Sequence, residues 1–428
     1  MINKVVLIIP PSPWQISDRV FPFSGILYIS AYLKQYSNCE VVVCDLSGLE
    51  EKNWFIPIGD LYGITGATPN FVYMKAIIEK LKEREPLKPV IVGGVHATVH
   101  PASILDQTPA DVCVIGEGEK TVLQIVNGMD WKDIPGLVTR KFRTGLPILI
   151  DDIDTLPMPD LKAIDYYSYI YPSVPEYHNY LSPETKREGS VTLSRGCHFN
   201  CAFCCSKKMH GGRVRARSPE AVVEEFLYLR DEFGVELVNV FDDTFAVSKK
   251  RVLRVCDLLI EKDVGIKWYC LLRADDVDID LLLSMKAAGC LSVTIGFESG
   301  SDRILKLMNK KTTTAVSRAC IKTVYKSGLK IYGFLIVGFP TETDYDVELS
   351  ADFVRSNPEV DTWQLHMFQP YPGCDVWEHP EKYGIEIDKD TDFSDYITKG
   401  TLDGRLCSTK RFQYLKDVMG NKIRELRK

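Results

Sequence analysis

The run Ser194-Arg195-Gly196-Cys197-His198-Phe199-Asn200-Cys201-Ala202-Phe203-Cys204 carries three thiols in the spacing C-x3-C-x2-C. Thiolates held this close suit an iron–sulfur cluster. A four-iron cluster has four irons, so Cys197, Cys201 and Cys204 leave one iron for a ligand that is not protein. An open metal position turns a structural site into a reactive one. Cys205 follows at once. Adjacent cysteines do not easily bind two corners of one cluster, so Cys205 reads as a bystander. The competing assignment is a Cys3His zinc site using His198 or His210, in a chain that would be a zinc-bound interaction protein. Zinc sites usually pair two C-x2-C knuckles, and no second cysteine pair follows downstream.

These thiols need a scaffold, and the pattern supplies one. Apolar runs and amphipathic helices alternate over residues 191–372. Strands are expected at 191–194, 237–241, 266–270, 292–297, 331–337 and 363–368. Helices are expected at 219–232, 249–261, 279–288, 301–308, 315–327 and 344–356. Ser218, Pro219 and Gly234 bound the first helix as N-cap, first-turn residue and stop signal. Six βα units suit a partial (β/α)6 barrel, since a full barrel needs eight. Upstream, residues 1–128 show strands at 5–9, 41–44, 61–65, 89–92 and 112–115, with helices at 25–36, 71–84 and 119–126. Continuous β-branched runs between helices indicate parallel strands covered on both faces. The fold class is α/β, a doubly wound Rossmann-like domain followed by the partial barrel. Residues 129–190 read as a connector with a hairpin-like start at 136–150. Residues 373–428 read as a tail covering the barrel mouth.

The chain has 428 residues, 45% hydrophobic and 26% charged, which is ordinary for a globular protein with a full core. A net charge of −6 argues against a broad nucleic-acid face. The basic residues Lys207, Lys208, Arg213, Arg215 and Arg217 read as a solvated loop. Pro10-Pro11 interrupts the first apolar run too early for a signal peptide, and no stretch is long enough to span a bilayer. A cytoplasmic location is expected. Thirteen cysteines there are not a disulfide framework.

The cysteine run resembles the cluster loop of the radical S-adenosylmethionine (radical SAM) superfamily. Phe203, just before the last cysteine, fits the same pattern. The resemblance implies a 4Fe–4S cluster whose open iron chelates the methionine end of SAM. It implies one-electron cleavage of SAM to a 5′-deoxyadenosyl radical, with flavodoxin or ferredoxin as electron donor. Residues at the carboxyl ends of the barrel strands would then meet SAM. Asp242 or Asp243 suits the ammonium, Arg273 the carboxylate and Glu298 the ribose or the ammonium. Ser299 and Gly338 lie at the strand ends that contact ribose and adenine in that superfamily. The acids also suit helix N-caps and first turns. His366 and Tyr371 end the sixth strand, as rim or core groups or as groups facing substrate.

The N-terminal segment resembles the cobalamin-binding domain found ahead of many radical SAM cores. The likeness rests on Pro10-Pro11, on Phe23-Ser24-Gly25-Ile26-Leu27-Tyr28, on Val92-Gly93-Gly94-Val95-His96-Ala97-Thr98 and on Ile115-Gly116-Glu117-Gly118-Glu119. It implies cobalamin contacts at Thr65, Gly66, Gly93, Gly94, His96, Gly116, Glu117 and Gly118. Glycine there lets a large ligand approach backbone, or only makes tight strand-to-helix turns. The D-x-H-x-x-G motif that places a histidine on cobalt is absent. The two resemblances together imply cobalamin-dependent methylation of an unactivated carbon. The rivals are radical cyclisation, oxidation or rearrangement without methyl transfer, and a cobalamin-type domain that is empty.

Overall fold

Lys4–Ile9 (β1) is an unbroken apolar run because both its faces are covered, and Val5 to Ile9 are at most 2% exposed. It pairs in parallel with Glu40–Asp45 (β2) on one side and Leu61–Thr65 (β3) on the other. Val90–Gly93 (β4) and Val112–Val114 (β5) continue the sheet in parallel. The order β2-β1-β3-β4-β5 reverses direction at β1 and β3. That reversal opens a crevice outside the carboxyl ends of the strands, where such folds bind ligands. The expected hairpin closes the sheet edge. Leu137–Val138 (β6) runs antiparallel to β5, and Gly136 N donates to Gly145 O at 3.0 Å.

Helices Ser24–Tyr36, Phe71–Arg84 and Glu119–Val126 fall where the pattern puts them. Two more, Gly94–Val99 and Pro101–Gln107, were not expected. At six and seven residues they are too short to show a stripe. Pro101 also separates them, because the residue before a proline is pushed out of the helical region.

The computed structural model describes residues 2–170, 187–396 and 409–425, apart from 14, 16 and 244. Of these, the residues within Met1–Pro175, Lys208–Arg215 and Asp388–Lys399 form one compact unit. Those within Glu176–Lys207, Ala216–Ile387 and Gly400–Lys428 form the other.

The second unit has strands Glu188–Val191 (β7), Leu237–Val240 (β8), Lys267–Leu272 (β9), Cys290–Glu298 (β10), Lys330–Val337 (β11) and Thr362–Met367 (β12). They pair in parallel in chain order, and among the described residues the sheet does not close. This is the six-unit partial barrel. One boundary is corrected. The first strand was expected at 191–194 and stops at Val191. The amides of Leu193 and Ser194 leave the ladder to bond the Asp242 carboxylate.

The tail is corrected too. Helix Thr409–Glu425 lies on the outer layer, where Leu415 packs on Val337, Val347 and Ala351. Residues of Asp388–Lys399 belong to the first unit. There Phe393 is fully buried against Phe71, His96 and His100, with ring centroids 5.6, 4.9 and 5.8 Å away.

Gly94 is a steric requirement of this architecture. Its φ is +86°, and a Cβ there would lie 2.6 Å from Thr65 Oγ1 and 2.9 Å from Gly66 N. Gly94→Ala is therefore expected to destabilise the first unit by about 1–3 kcal/mol. Chemical denaturation of the variant against the parent checks this, and equal midpoints would refute it.

Candidate functional site

The cysteine loop leaves β7 at Val191 and carries one two-residue strand, Ser194–Arg195. Its backbone is bonded by other segments of the second unit. Asp242, at the end of β8 and 2% exposed, accepts from Leu193 N (2.6 Å), Ser194 N (3.0 Å) and Ser194 Oγ (2.7 Å). Ala202 N donates to Met308 O at 2.8 Å, and Val376 N donates to Ala202 O at 3.2 Å. Asn309 Nδ2 donates to Asn200 O at 2.6 Å. The thiols so held are free, with Cys201 buried, Cys197 half-buried and Cys204 exposed. Ser206 N donates to Cys204 Sγ at 3.5 Å. The donor set, three unpaired thiols on one anchored loop, fits an iron–sulfur cluster.

Two adjacent acids split their roles. Asp242 is turned to the loop backbone, where the sequence reading offered it to the SAM ammonium. Burial pushes its carboxyl up to about 6, against the pull of the Ser194 hydroxyl and the two amides. Asp243 is exposed beside the loop and accepts from Ser206 Oγ at 2.6 Å.

Arg273 is also turned to the loop. Its Nε and Nη2 meet the Asp275 carboxylate at 3.0 and 3.2 Å, and Nη2 donates to Lys310 O at 2.7 Å. Its guanidinium carbon sits 3.4 Å from the centroid of the Phe199 ring. The expected partner, a methionine carboxylate, would compete with all of these.

Glu298 ends β10 at φ +64°, where the register with β11 shifts. A non-glycine residue in that region is strained and persists only where its surroundings hold it. Here Lys310 Nζ holds the carboxylate at 2.5 Å. Phe203 is half-buried, with Lys310 Nζ 5.7 Å from its ring centroid. Ser299 is buried and accepts from Ser301 N at 3.1 Å. Gly338 has φ +86°, and its amide donates to Glu342 at 2.7 Å. Burial pushes the Glu342 carboxyl up to about 7. His366 is exposed, with its ring centroid 5.2 Å from that of Phe334. Tyr371 is half-buried.

In the first unit, Thr65, Gly66, Gly93, Gly94 and Gly116 lie at strand ends around the crevice. Gly93 is the one with room, since a Cβ there would meet nothing nearer than Val114 at 3.9 Å. At Gly66, Gly116 and Gly118 a Cβ would meet Met74, Pro147 and Ile29 at under 3 Å, so these positions are already packed by the protein's own side chains. His96 is buried, and its ring nitrogens engage Thr68 Oγ1 at 3.1 Å and Ser103 Oγ at 2.9 Å. Burial lowers its pKa to about 3, so it is a neutral core histidine. Glu117 is buried too, bonded to Arg215 at 2.5 and 2.9 Å, and accepts from Ile150 N at 2.9 Å. What remains around the crevice fits a ligand held by backbone and without an axial histidine.

The profile of the Radical SAM superfamily matches residues 191–354, and that of the B12 binding domain matches residues 20–126. An uncharacterized methyltransferase of Pyrococcus horikoshii is 31% identical over 88% of this chain and 83% of its own length. The chain belongs to the cobalamin-binding radical SAM enzymes. Enzymes of this family work with a 4Fe–4S cluster, SAM and cobalamin, and need a reductant. The anaerobic magnesium-protoporphyrin IX monomethyl ester cyclase of Rubrivivax gelatinosus is 27% identical over 84% of this chain and 66% of its own length. Among solved structures, the radical SAM methyltransferase TsrM from Kitasatospora setae, with cobalamin and a 4Fe–4S cluster bound, shares the fold. Its TM-score is 0.71 at 17% identity, over 91% of this chain and 80% of TsrM. Among the described residues no helix is long and apolar enough to cross a membrane.

The sequence reading missed Phe199, Asp275, Met308, Asn309, Lys310 and Glu342. Lys310 sits in the run Met308-Asn309-Lys310-Lys311, which reads as a solvated charged turn. Its burial follows from the partners waiting at two strand ends.

The loop anchor has a pH signature. The ordinary Asp value is 3.8, and folded Asp242 is raised to about 6. Between these values the folded state binds the extra proton, so this group's contribution to stability falls as pH rises through that window. Asp242→Asn keeps an acceptor for the two amides and carries no charge. Relative to the parent it is expected to gain up to about 3 kcal/mol between pH 4 and pH 7. Urea unfolding across that range measures the difference, and a flat difference would rule this account out.

Proposed function

We propose that this enzyme methylates an unactivated carbon, with Cys197, Cys201 and Cys204 as the cluster ligands. The observation that carries this reading is the anchored loop of three free thiols. When bound, the cluster supplies the electron that splits SAM to a 5′-deoxyadenosyl radical, and cobalamin supplies the transferable methyl group. The chain's own residues bind and orient. Asp243 is the exposed acid beside the loop and suits the SAM ammonium. Glu298, fixed by Lys310, presents its second oxygen to the ribose. Gly338 lets backbone approach the adenine, and Phe203 packs against it. Gly93 offers the open backbone position for cobalamin. Flavodoxin or ferredoxin delivers the electron in a cytoplasmic setting.

Ring closure without methyl transfer is the second reading, favoured by the 27% identity to the cyclase. Anaerobic reconstitution with iron, sulfide and cobalamin separates the two. With SAM and a strong reductant, the parent is expected to retain cobalamin absorbance and release 5′-deoxyadenosine. Serine at Cys197, Cys201 or Cys204 is expected to reduce that release to background, while Cys205→Ser leaves it. With methyl-labelled SAM, label is expected on the retained cobalamin. Retained cobalamin that never takes label would sink methyl transfer. Absence of 5′-deoxyadenosine would sink radical chemistry altogether.

A further inference from the structure

We propose that Arg273 raises the reduction potential of the cluster by acting on the Cys201 sulfur. The proposal rests on the assignment of Cys201 as a cluster thiolate. Arg273 stands just beyond the end of β9 and is 8% exposed. Its guanidinium is engaged on every side. The Asp275 carboxylate takes Nε and Nη2 at 3.0 and 3.2 Å, and the Lys310 carbonyl takes Nη2 at 2.7 Å. The Phe199 ring, from the cysteine loop itself, lies 3.4 Å beneath its carbon. The remaining nitrogen, Nη1, points at Cys201 Sγ from 4.0 Å.

A planar, permanently charged group clamped in this way is pre-organised. Turning it toward a SAM carboxylate would break the ion pair, the carbonyl bond and the stack together. Left in place, it puts a cation and an N–H donor beside a sulfur. One-electron reduction adds a negative charge to the cluster. The reduced form therefore gains more from the nearby cation than the oxidised form does, and hydrogen bonds to cluster sulfurs act in the same direction. Burial keeps solvent ions from screening the effect. Asp275 works with the opposite sign, because its carboxylate offsets part of the guanidinium charge. Its side chain is a third exposed.

The test is a potentiometric titration of the anaerobically reconstituted full chain, without SAM. Dithionite and mediators set the potential, and the electron paramagnetic resonance of the reduced cluster reports it. Arg273→Met keeps the apolar stem and removes the charge. It is expected to lower the equilibrium constant for reduction about tenfold, which is about 59 mV more negative for one electron. Asp275→Asn is expected to shift the potential the other way. Opposite shifts from two neighbouring variants are not what loosened packing would give. If Arg273→Met does not assemble a cluster, the positive shift of Asp275→Asn decides the matter alone. A parent holding no iron and sulfide overturns both this proposal and the cluster assignment. Clusters with unchanged potentials in the variants overturn this proposal alone. In that case, weaker binding of SAM to Arg273→Met would return the side chain to the methionine carboxylate.

Discussion

A loop that offers three thiols to a metal cluster cannot also run as a strand. Its amides and carbonyls leave the sheet, and buried backbone groups must find other partners. In this enzyme the partners come from three places: Asp242 after β8, Met308 and Asn309 after β10, and Val376 after β12. None of them is near the cysteines in sequence. The parallel sheet brings their carboxyl ends to one side, so the barrel serves first as a device for bonding that loop. Asp242 shows what this costs. A carboxylate taken out of water loses its hydration, and two amides and a hydroxyl compensate only in part.

The same economy shapes the surrounding charges. Glu298–Lys310 and Arg273–Asp275 are two ion pairs, joined by the bond from Arg273 Nη2 to the Lys310 carbonyl. Each buried charge in them has a partner of opposite sign or a carbonyl, which is the condition for keeping ions in a low-dielectric site. The strained backbone at Glu298 is held by its pair with Lys310, not by local turn chemistry. In the first unit, Glu117 and Arg215 solve the same problem as a buried pair that also bonds Ile150.

Much of this was legible in the chain itself. The thiol spacing marks the chemistry, because cluster ligation by one short loop has few sequence solutions. β-Branched runs mark the strands, because two covered faces leave no room for alternation. What stayed hidden has one physical character. His96 reads like a ligand until Thr68 and Ser103 are seen to occupy both its nitrogens. Glu117 reads like a rim acid until Arg215 arrives from 98 residues away. Lys310 reads as surface until Glu298 captures it. Each depends on a partner chosen by tertiary structure, and no local pattern carries that choice. The glycines mislead for a related reason. A tight turn, a close helix and an open ligand wall all call for the same residue, and of Gly66, Gly93, Gly94, Gly116 and Gly118 it is Gly93 that has the empty space of the last.

The place of Phe393 has a consequence for how this protein can be divided. Its ring fills the gap between Phe71, His96 and His100, in a unit built mostly from the first part of the chain. The unit also takes in Lys208–Arg215, which supplies the partner of Glu117. Neither compact unit is therefore one uninterrupted stretch of polypeptide. A fragment ending near residue 175 would carry the cobalamin-type sheet with an unfilled aromatic pocket and a buried acid that has lost Arg215. The two halves are not cassettes that a single cut could separate or a single joint could graft onto another core.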